Sequence, residues 1–486
     1  SMRKKTEKGI PDENLLGGLL LFNLALKIML MPVNVAEYTD GILQLTLFGV
    51  PNKLYPPFFT MTALMLKPIL GNAEAAGRLV SAVASAFLVL PIYMTARALY
   101  EKRSAFFAAL VYSVSPMALR WALHAMTDSL FAFLCFIAAI CLWRALNETS
   151  EKYLIWGIVL SVVATLTRYQ GILLIPPYLY VLWRLNLKEK TPTRRAAIAG
   201  VLWLLPAVWI VFFGFRHPEQ FAERAGATVW QTFLNILLLA ESFLAYSPYF
   251  LTLPVCFFLL AGLFYMDYGD ERKARLLWLF VYLTAALLIL QSAFSSFQER
   301  YLLPLLPFVA LFAGWGIEAI RQRLGERKRI FKILLFVLIV NGLGFGLTCV
   351  FIQRESFADL KDAANFMKSL PADAVIYSNE TYKDLGPVKM RYWSQRDILP
   401  MDDLKDIPAG SVVSITSAYG GMSSFMQIKR LMHEIYRAEI LAQFDSSLVP
   451  LLPDIMQEPI SHQNPLALTF RYSRQRFQTI VYQIPR

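Results

Sequence analysis

The chain has 486 residues, 56% of them hydrophobic and 14% aromatic, and a formal charge of +12. A mean hydropathy of +0.47 is too apolar for a water-soluble globule and belongs to a protein that crosses a membrane many times. A pI near 9.4 invites nucleic acid, but the basic residues fall in short clusters between apolar runs and form no patch that follows a phosphate backbone, so that partner is excluded.

In chain order, the first apolar run, 15–33, follows Arg3, Lys4, Lys5 and Lys8 as a signal peptide would. No small-residue cleavage site follows it, so it reads as a retained helix. Runs of spanning length recur at 76–96, 104–120, 128–146, 153–168, 171–185, 196–214, 247–266, 275–293, 301–320 and 330–351, about eleven in all. Alternate connections carry the basic residues, from Arg97, Lys102 and Arg103 to Arg321, Arg323, Arg327, Lys328 and Arg329. By the positive-inside rule these connections and the N-terminus face the cytoplasm. The connections bearing Glu37, Asp40, Asp128, Arg168 and Arg300 then face out. Two stretches, 41–70 and 215–246, mix turn residues with apolar ones and are expected to lie along the outer membrane surface.

Beyond about Arg354 the apolar runs shorten and charges of both signs appear. The segments 374–378, 411–416 and 479–484 read as strands and 422–438 as a helix. The fold class expected is a polytopic α-helical membrane protein, residues 1–353, with a small extracytoplasmic α/β soluble domain, residues 354–486. Gly420 and Gly421 read as a turn rather than a nucleotide loop. The four cysteines, Cys135, Cys141, Cys256 and Cys349, lie in apolar segments without CxxC spacing, so neither a zinc site nor a disulfide framework is indicated.

Two acids, Glu37 and Asp40, follow the first run in EYTDG. Ionisable groups at that depth are costly unless used, and a carboxylate there can act as general base toward a hydroxyl or amine. If the segment is helical the two share a face, and like charges that close hold their protons unequally. The bland alternative is a pair of solvated acids at a helix end. A second constellation, Arg120, His124 and Asp128 in RWALHAMTDS, makes a polar stripe if its helix is continuous. His124 and Asp128 then either hold a divalent metal jointly with Glu37 or Asp40 or stay structural, with Asp128 capping the next helix. Arg168 in LTRYQG and Arg300 in FQERYLLPLLP are lone cations beside Tyr169 and Tyr301. With Lys53 they suit a phosphate, and singly each suits a lipid headgroup equally well. His217, His433 and His462 have no companions at ligand spacing.

These residues, in this order and with this sidedness, resemble the GT-C glycosyltransferases, and within them the protein O-mannosyltransferase and lipid A aminoarabinose transferase branch. The likeness covers about residues 10 to 352 and is looser in the C-terminal domain. It implies an inverting transfer of a monosaccharide from a polyprenyl phosphate, of the dolichyl or undecaprenyl type, to a protein, lipid or glycan acceptor on the outer side of the cell membrane. It further implies Asp40 as the base on the acceptor, with Glu37 assisting or competing, and Asp128 as the second acid, orienting the acceptor or a metal. Arg300 would neutralise the donor phosphate, with Tyr301 beside it and Arg168 and Lys53 as further candidates. No cofactor is expected to be required, with magnesium or manganese left open. The first loop has EYTD in place of the family's adjacent Asp-Glu pair, and no Trp-Trp-Asp motif occurs, which argues against a lipid pyrophosphate oligosaccharide donor. A secondary transporter and a non-catalytic lipid-binding protein are the rival readings. Transporters show related halves and midplane polar groups on broken helices, and neither is found.

Overall fold

Apolar runs of this length become helices because a hydrocarbon surrounding offers backbone N–H and C=O groups no partner outside their own segment. The computed structural model describes residues 12–46, 55–189, 200–216, 247–292, 299–381, 385–418, 421–446 and 477–485, with isolated positions between 230 and 241. Among these, six helices are long and apolar enough to cross a membrane: Asn14–Val33, Ala73–Leu99, Thr127–Glu148, Glu271–Gln291, Arg300–Leu324 and Lys328–Lys368.

The other five expected spans are shorter or broken. Helices Glu151–Thr167, Ile175–Glu189, Leu204–Arg216 and Leu253–Phe264 occupy four of the places. The fifth, 104–120, is two helices, Lys102–Ser113 and Pro116–Trp121. Pro116 has no N–H to continue the ladder and its ring crowds the preceding turn, while Ser115 restarts the helix by accepting from the Ala118 N–H at 3.4 Å. The stretch 41–70 holds two short helices, Thr39–Leu45 and Phe58–Leu70. Most of 215–246 lies outside the described residues, as do His217, Gly420 and His462.

Helix Ala73–Phe87 carries Glu74 and Arg78 toward the first loop. Gly71, at φ +81°, ends Phe58–Leu70 in the left-handed region, and Asn72 caps the next helix by accepting from the Ala75 N–H at 2.7 Å. That cap fixes where Glu74 and Arg78, one turn apart, emerge. Small residues along AEAAGRLVSAVASAF let this helix pack closely on Phe58–Leu70 and Thr127–Glu148.

The C-terminal part carries a five-stranded sheet: β1 (Ile376–Ser378), β2 (Leu399–Pro400), β3 (Val412–Thr416), β4 (Glu439–Ser446) and β5 (Phe477–Gln483), in the order β2-β1-β3-β5-β4. β1 pairs in parallel with β2 and β3, and β5 runs antiparallel between β3 and β4, with Val413 opposite Tyr482. Strands alternate their side chains between two faces. Val413, Ile415, Ile480 and Tyr482 pack with Phe425 and Met432 of helix Gly421–Glu434. Val412 and Val481 pack on the other face with helices Ala358–Lys368 and Val388–Ser394. That second core also takes in Ala36, Ile42 and Leu43 from the first loop. The loop bearing the acid pair is thus built into the hydrophobic core of the C-terminal part.

Candidate functional site

The first loop is tied down from several sides before it carries any chemistry. Arg78 donates through Nη1 to the carbonyls of Asn34 at 2.6 Å and Met31 at 3.3 Å. Asn34 donates its amide to the Leu123 carbonyl at 3.3 Å, and Val35 N–H reaches the Arg354 carbonyl at 2.8 Å. Gln44 Oε1 accepts from the Thr127 N–H at 2.8 Å. Between these anchors the backbone turns into helix Thr39–Leu45.

Glu37 and Asp40 do not share a face, because the helix starts after Glu37 and holds only Asp40, in its first turn. Glu37 is fully buried, ion-paired with Arg78, and 3.3 Å from Nδ1 of His124. Burial alone would raise its carboxyl, but Arg78 beside it wins and holds it down to about 2. Burial lowers the His124 imidazole from its ordinary value despite Glu37, so the ring is neutral near pH 7 and Arg78 carries the charge that matters. The Tyr38 ring packs on His124 at 4.8 Å and meets Phe357 edge-on at 5.9 Å.

Asp40 faces the other way. Its Oδ2 pairs with Nη2 of Arg300 and its Oδ1 accepts from the Tyr55 hydroxyl at 3.1 Å, leaving the side chain 22% exposed. Arg300 Nη1 also reaches Met126 Sδ at 3.6 Å, and its guanidinium lies 5.8 Å from the Trp121 ring centre and 5.3 Å from that of Tyr301. Arg168 also lies against the Tyr301 ring, 4.6 Å from its centre, and is ion-paired with Asp128. Arg168 donates further to Thr127 Oγ1 at 3.3 Å and Gln170 Oε1 at 2.9 Å. Arg300 is within electrostatic reach of both Asp40 and Asp128. The result is one connected set, Asp40, Arg300, Tyr301, Arg168, Asp128, in which two cations share the tyrosine ring, each is paired with its own carboxylate, and the net charge is zero. Both arginines expected to be lone cations are therefore bonded to carboxylates.

The stripe of Arg120, His124 and Asp128 does not form. Helix Pro116–Trp121 ends, residues 122–126 turn, and a new helix begins at Thr127. The turn threads past two glycines: a Cβ on Gly77 would sit 2.8 Å from Ala125 Cβ, and one on Gly41 would sit 3.1 Å from the Ala125 carbonyl oxygen. A straight helix would carry Ala125 away from this close contact. The three side chains separate accordingly, Arg120 donating to Gln353 Oε1 at 3.1 Å, His124 facing Glu37 and Asp128 facing Arg168. Asp128 sits in the first turn of its helix, where the dipole favours an anion, but it makes no side-chain cap. Among the described residues no group of three or more His, Cys, Asp or Glu is placed to hold a metal ion. Lys53 lies outside the described residues.

Sequence reasoning missed Arg78 and Tyr55. Arg78 had a usable signal, a lone arginine within an apolar run, which requires a buried partner. Tyr55 had none.

Two family models match parts of the chain: Dolichyl-phosphate-mannose-protein mannosyltransferase over residues 55–213, and the Alg9-like mannosyltransferase family over residues 231–384. The undecaprenyl phosphate-alpha-4-amino-4-deoxy-L-arabinose arabinosyl transferase of Pseudomonas aeruginosa (strain LESB58) is 26% identical over 272 residues, 51% of this chain and 47% of the relative. The match thus spans about half the length of that curated relative. ArnT from Cupriavidus metallidurans has a TM-score of 0.58 in the apo state and 0.59 bound to undecaprenyl phosphate, at 13% identity over 96% of this chain and 98% of that one. The Archaeoglobus fulgidus oligosaccharyltransferase in its apo form reaches 0.51 at 12% identity, over 82% of this chain and 65% of that one. The resemblance to the GT-C glycosyltransferases read from the sequence holds in the family matches, in the relative and in the fold.

Proposed function

We propose that this chain moves a single sugar from a polyprenyl phosphate to an acceptor on the extracytoplasmic side of the membrane, with inversion at the anomeric carbon. The observation that carries the reading is the neutral set of two arginines around Tyr301, each bonded to a carboxylate. A guanidinium fork suits a phosphate as well as a carboxylate. When the donor arrives, its phosphate takes the place of Asp40 on Arg300. Asp40 is then released to work as a base only when a donor is present.

The chemistry follows from that exchange. Asp40 takes the proton from the acceptor, whose heteroatom attacks the anomeric carbon from the face opposite the phosphate. The bond between that carbon and the phosphate oxygen breaks, and the electron pair leaves with the polyprenyl phosphate. The leaving group gains negative charge in this step and needs neutralisation more than a proton, which Arg300 and Arg168 supply. Lys53, outside the described residues, is retained as a candidate cation for the same phosphate. Asp128 holds Arg168 at its post and faces the acceptor side. Glu37, with no exposed surface, serves as a positioning group through Arg78 rather than as a second base.

The fold supports the arrangement, since ArnT of the same fold is solved with undecaprenyl phosphate bound, and the relative in Pseudomonas aeruginosa is by name an undecaprenyl-phosphate-linked arabinosyl transferase. The basic connections favour a cytoplasmic N-terminus, with residues 1–353 as the membrane-embedded catalytic domain and 354–486 outside. Purified protein given a panel of polyprenyl-phosphate monosaccharides in the presence of protein, lipid and glycan acceptors should release polyprenyl phosphate from at least one donor. Release from none would overturn the reading.

A further inference from the structure

We infer that the C-terminal domain is a working part of the transferase centre, and that Glu74 and Trp393 are positioning residues that set where Asp40 stands. The inference rests on the transferase reading above. Glu74 projects from the first turn of helix Ala73–Phe87 and is largely buried. Its Oε1 accepts from the Trp393 indole N–H at 2.6 Å and its Oε2 from Lys361 Nζ at 2.9 Å, both donors belonging to the C-terminal domain. Arg78 Nη2 approaches Glu74 Oε2 at 3.6 Å, so one carboxylate joins the C-terminal domain to the arginine that grips Glu37.

The same donors reach the loop directly. Lys361 Nζ donates to the Val35 carbonyl at 2.9 Å, and Trp393 lies in one core with Ala36, Ile42 and Leu43. Ile42 and Leu43 are on the helix that starts at Thr39 and carries Asp40 in its first turn. The base therefore stands on a short helix that sends Ile42 and Leu43 into the core of the C-terminal domain and whose backbone entry is held by Lys361 and Arg78. Arg300 and Arg168 are positioned by other elements, beside Met126, Trp121, Gln170 and Tyr301. A change at Glu74 or Trp393 should thus move the base and leave the phosphate seat in place. Displacing a reacting group by about 1 Å costs on the order of 100-fold in rate.

The test uses the full-length protein in lipid nanodiscs with variants Trp393→Phe and Glu74→Gln. Trp393→Phe keeps an apolar ring in the core and removes the N–H; Glu74→Gln keeps an acceptor for the indole and removes the charge that holds Lys361. We expect kcat to fall about 10- to 100-fold, donor KM and polyprenyl phosphate affinity not to weaken, since Asp40 competes with the phosphate for Arg300, and amide exchange over residues 34–45 to quicken. Unchanged kcat in both variants beside an active wild type overturns the inference. So does a loss in which kcat, KM and melting temperature worsen together, since that marks a general structural role. A wild type that releases no polyprenyl phosphate from any donor overturns the transferase reading itself.

Discussion

Two carboxylates three residues apart meet arginine in opposite ways. Beneath the loop, Glu37 is sealed with Arg78 and His124 in a knot closed to water, and Arg78 also holds two backbone carbonyls. At the rim, Asp40 keeps 22% of its side chain exposed and pairs with an arginine that shares the Tyr301 ring with a second arginine. A buried pair deprived of one partner leaves an uncompensated charge, so it resists exchange. Arg300 is as buried as Arg78, but its carboxylate is partly exposed and a second cation stands beside it, so Asp40 can be traded for another anion that fills its place. Exposure of the carboxylate and the company of the arginine, rather than acid type or spacing, separate the structural pair from the one suited to chemistry.

The largest effect expected from this contrast is at Asp40. Asp40→Asn removes the proposed base and should lower kcat about 10²- to 10⁴-fold while leaving the melting temperature within a few degrees of wild type. Full transfer by this variant would falsify the assignment. Arginine-to-lysine substitution at each of the two arginines comes next. Arg300→Lys keeps a charge but loses the fork, and should reduce kcat/KM by about 10- to 100-fold, with little change in stability. Arg78→Lys should instead cost stability first, roughly 3 kcal/mol or more, because Glu37 and two carbonyls lose their donors in a dry site. If the two variants gave the same pattern, the distinction between knot and rim would be wrong.

The contrast was only partly legible in the sequence. Periodicity and run length located the helices, and alternation located the strands β1, β3 and β5, because those signals are local. Pro116 was also visible as a breaker, yet the apolar run across it masked the break. The acids at 37 and 40 and the arginines at 168 and 300 drew attention singly, since a charge among apolar residues is conspicuous. Their pairing was not legible: Arg300 lies 260 positions from Asp40 and Arg78 lies 41 from Glu37. The turn at 122–126 depends on Gly41 and Gly77 meeting Ala125, a contact that no window of sequence contains. The union of the first loop with the C-terminal core was hidden for the same reason.

The pH dependence of stability sharpens the knot further. Glu37 sits at about 2 when folded, down from an ordinary 4.5, so its contribution is present above 4.5 and is lost as pH falls toward 2. For so buried a group the difference is on the order of 3 kcal/mol. His124 has a lowered folded value, so the unfolded ring binds a proton more readily and stability also erodes below about 6.5. Melting temperature measured from pH 7 to pH 3 should therefore fall in wild type. In Glu37→Gln it should start lower and lose less over the part of that range below 4.5. An identical slope in both proteins would mean that Glu37 is not held ionised by Arg78.

The smallest effect expected is that of metal removal, and it tests the rim. A divalent ion bridging His124 and Asp128 would have to draw His124 off Glu37 and Asp128 off Arg168, breaking both sides of the arrangement at once. The cost would be high on the buried side, where Glu37 would lose a neighbour it cannot replace with water. If Arg300 and Arg168 seat the phosphate as proposed, they make the charge that a metal would bring redundant for the leaving group. Turnover after exhaustive chelation should therefore equal that of untreated protein. A loss restored by magnesium or manganese would require His124 or Asp128 to leave its present partner on substrate binding. That outcome would shift Asp128 from holding Arg168 to holding the ion, and the rim would need redrawing around it.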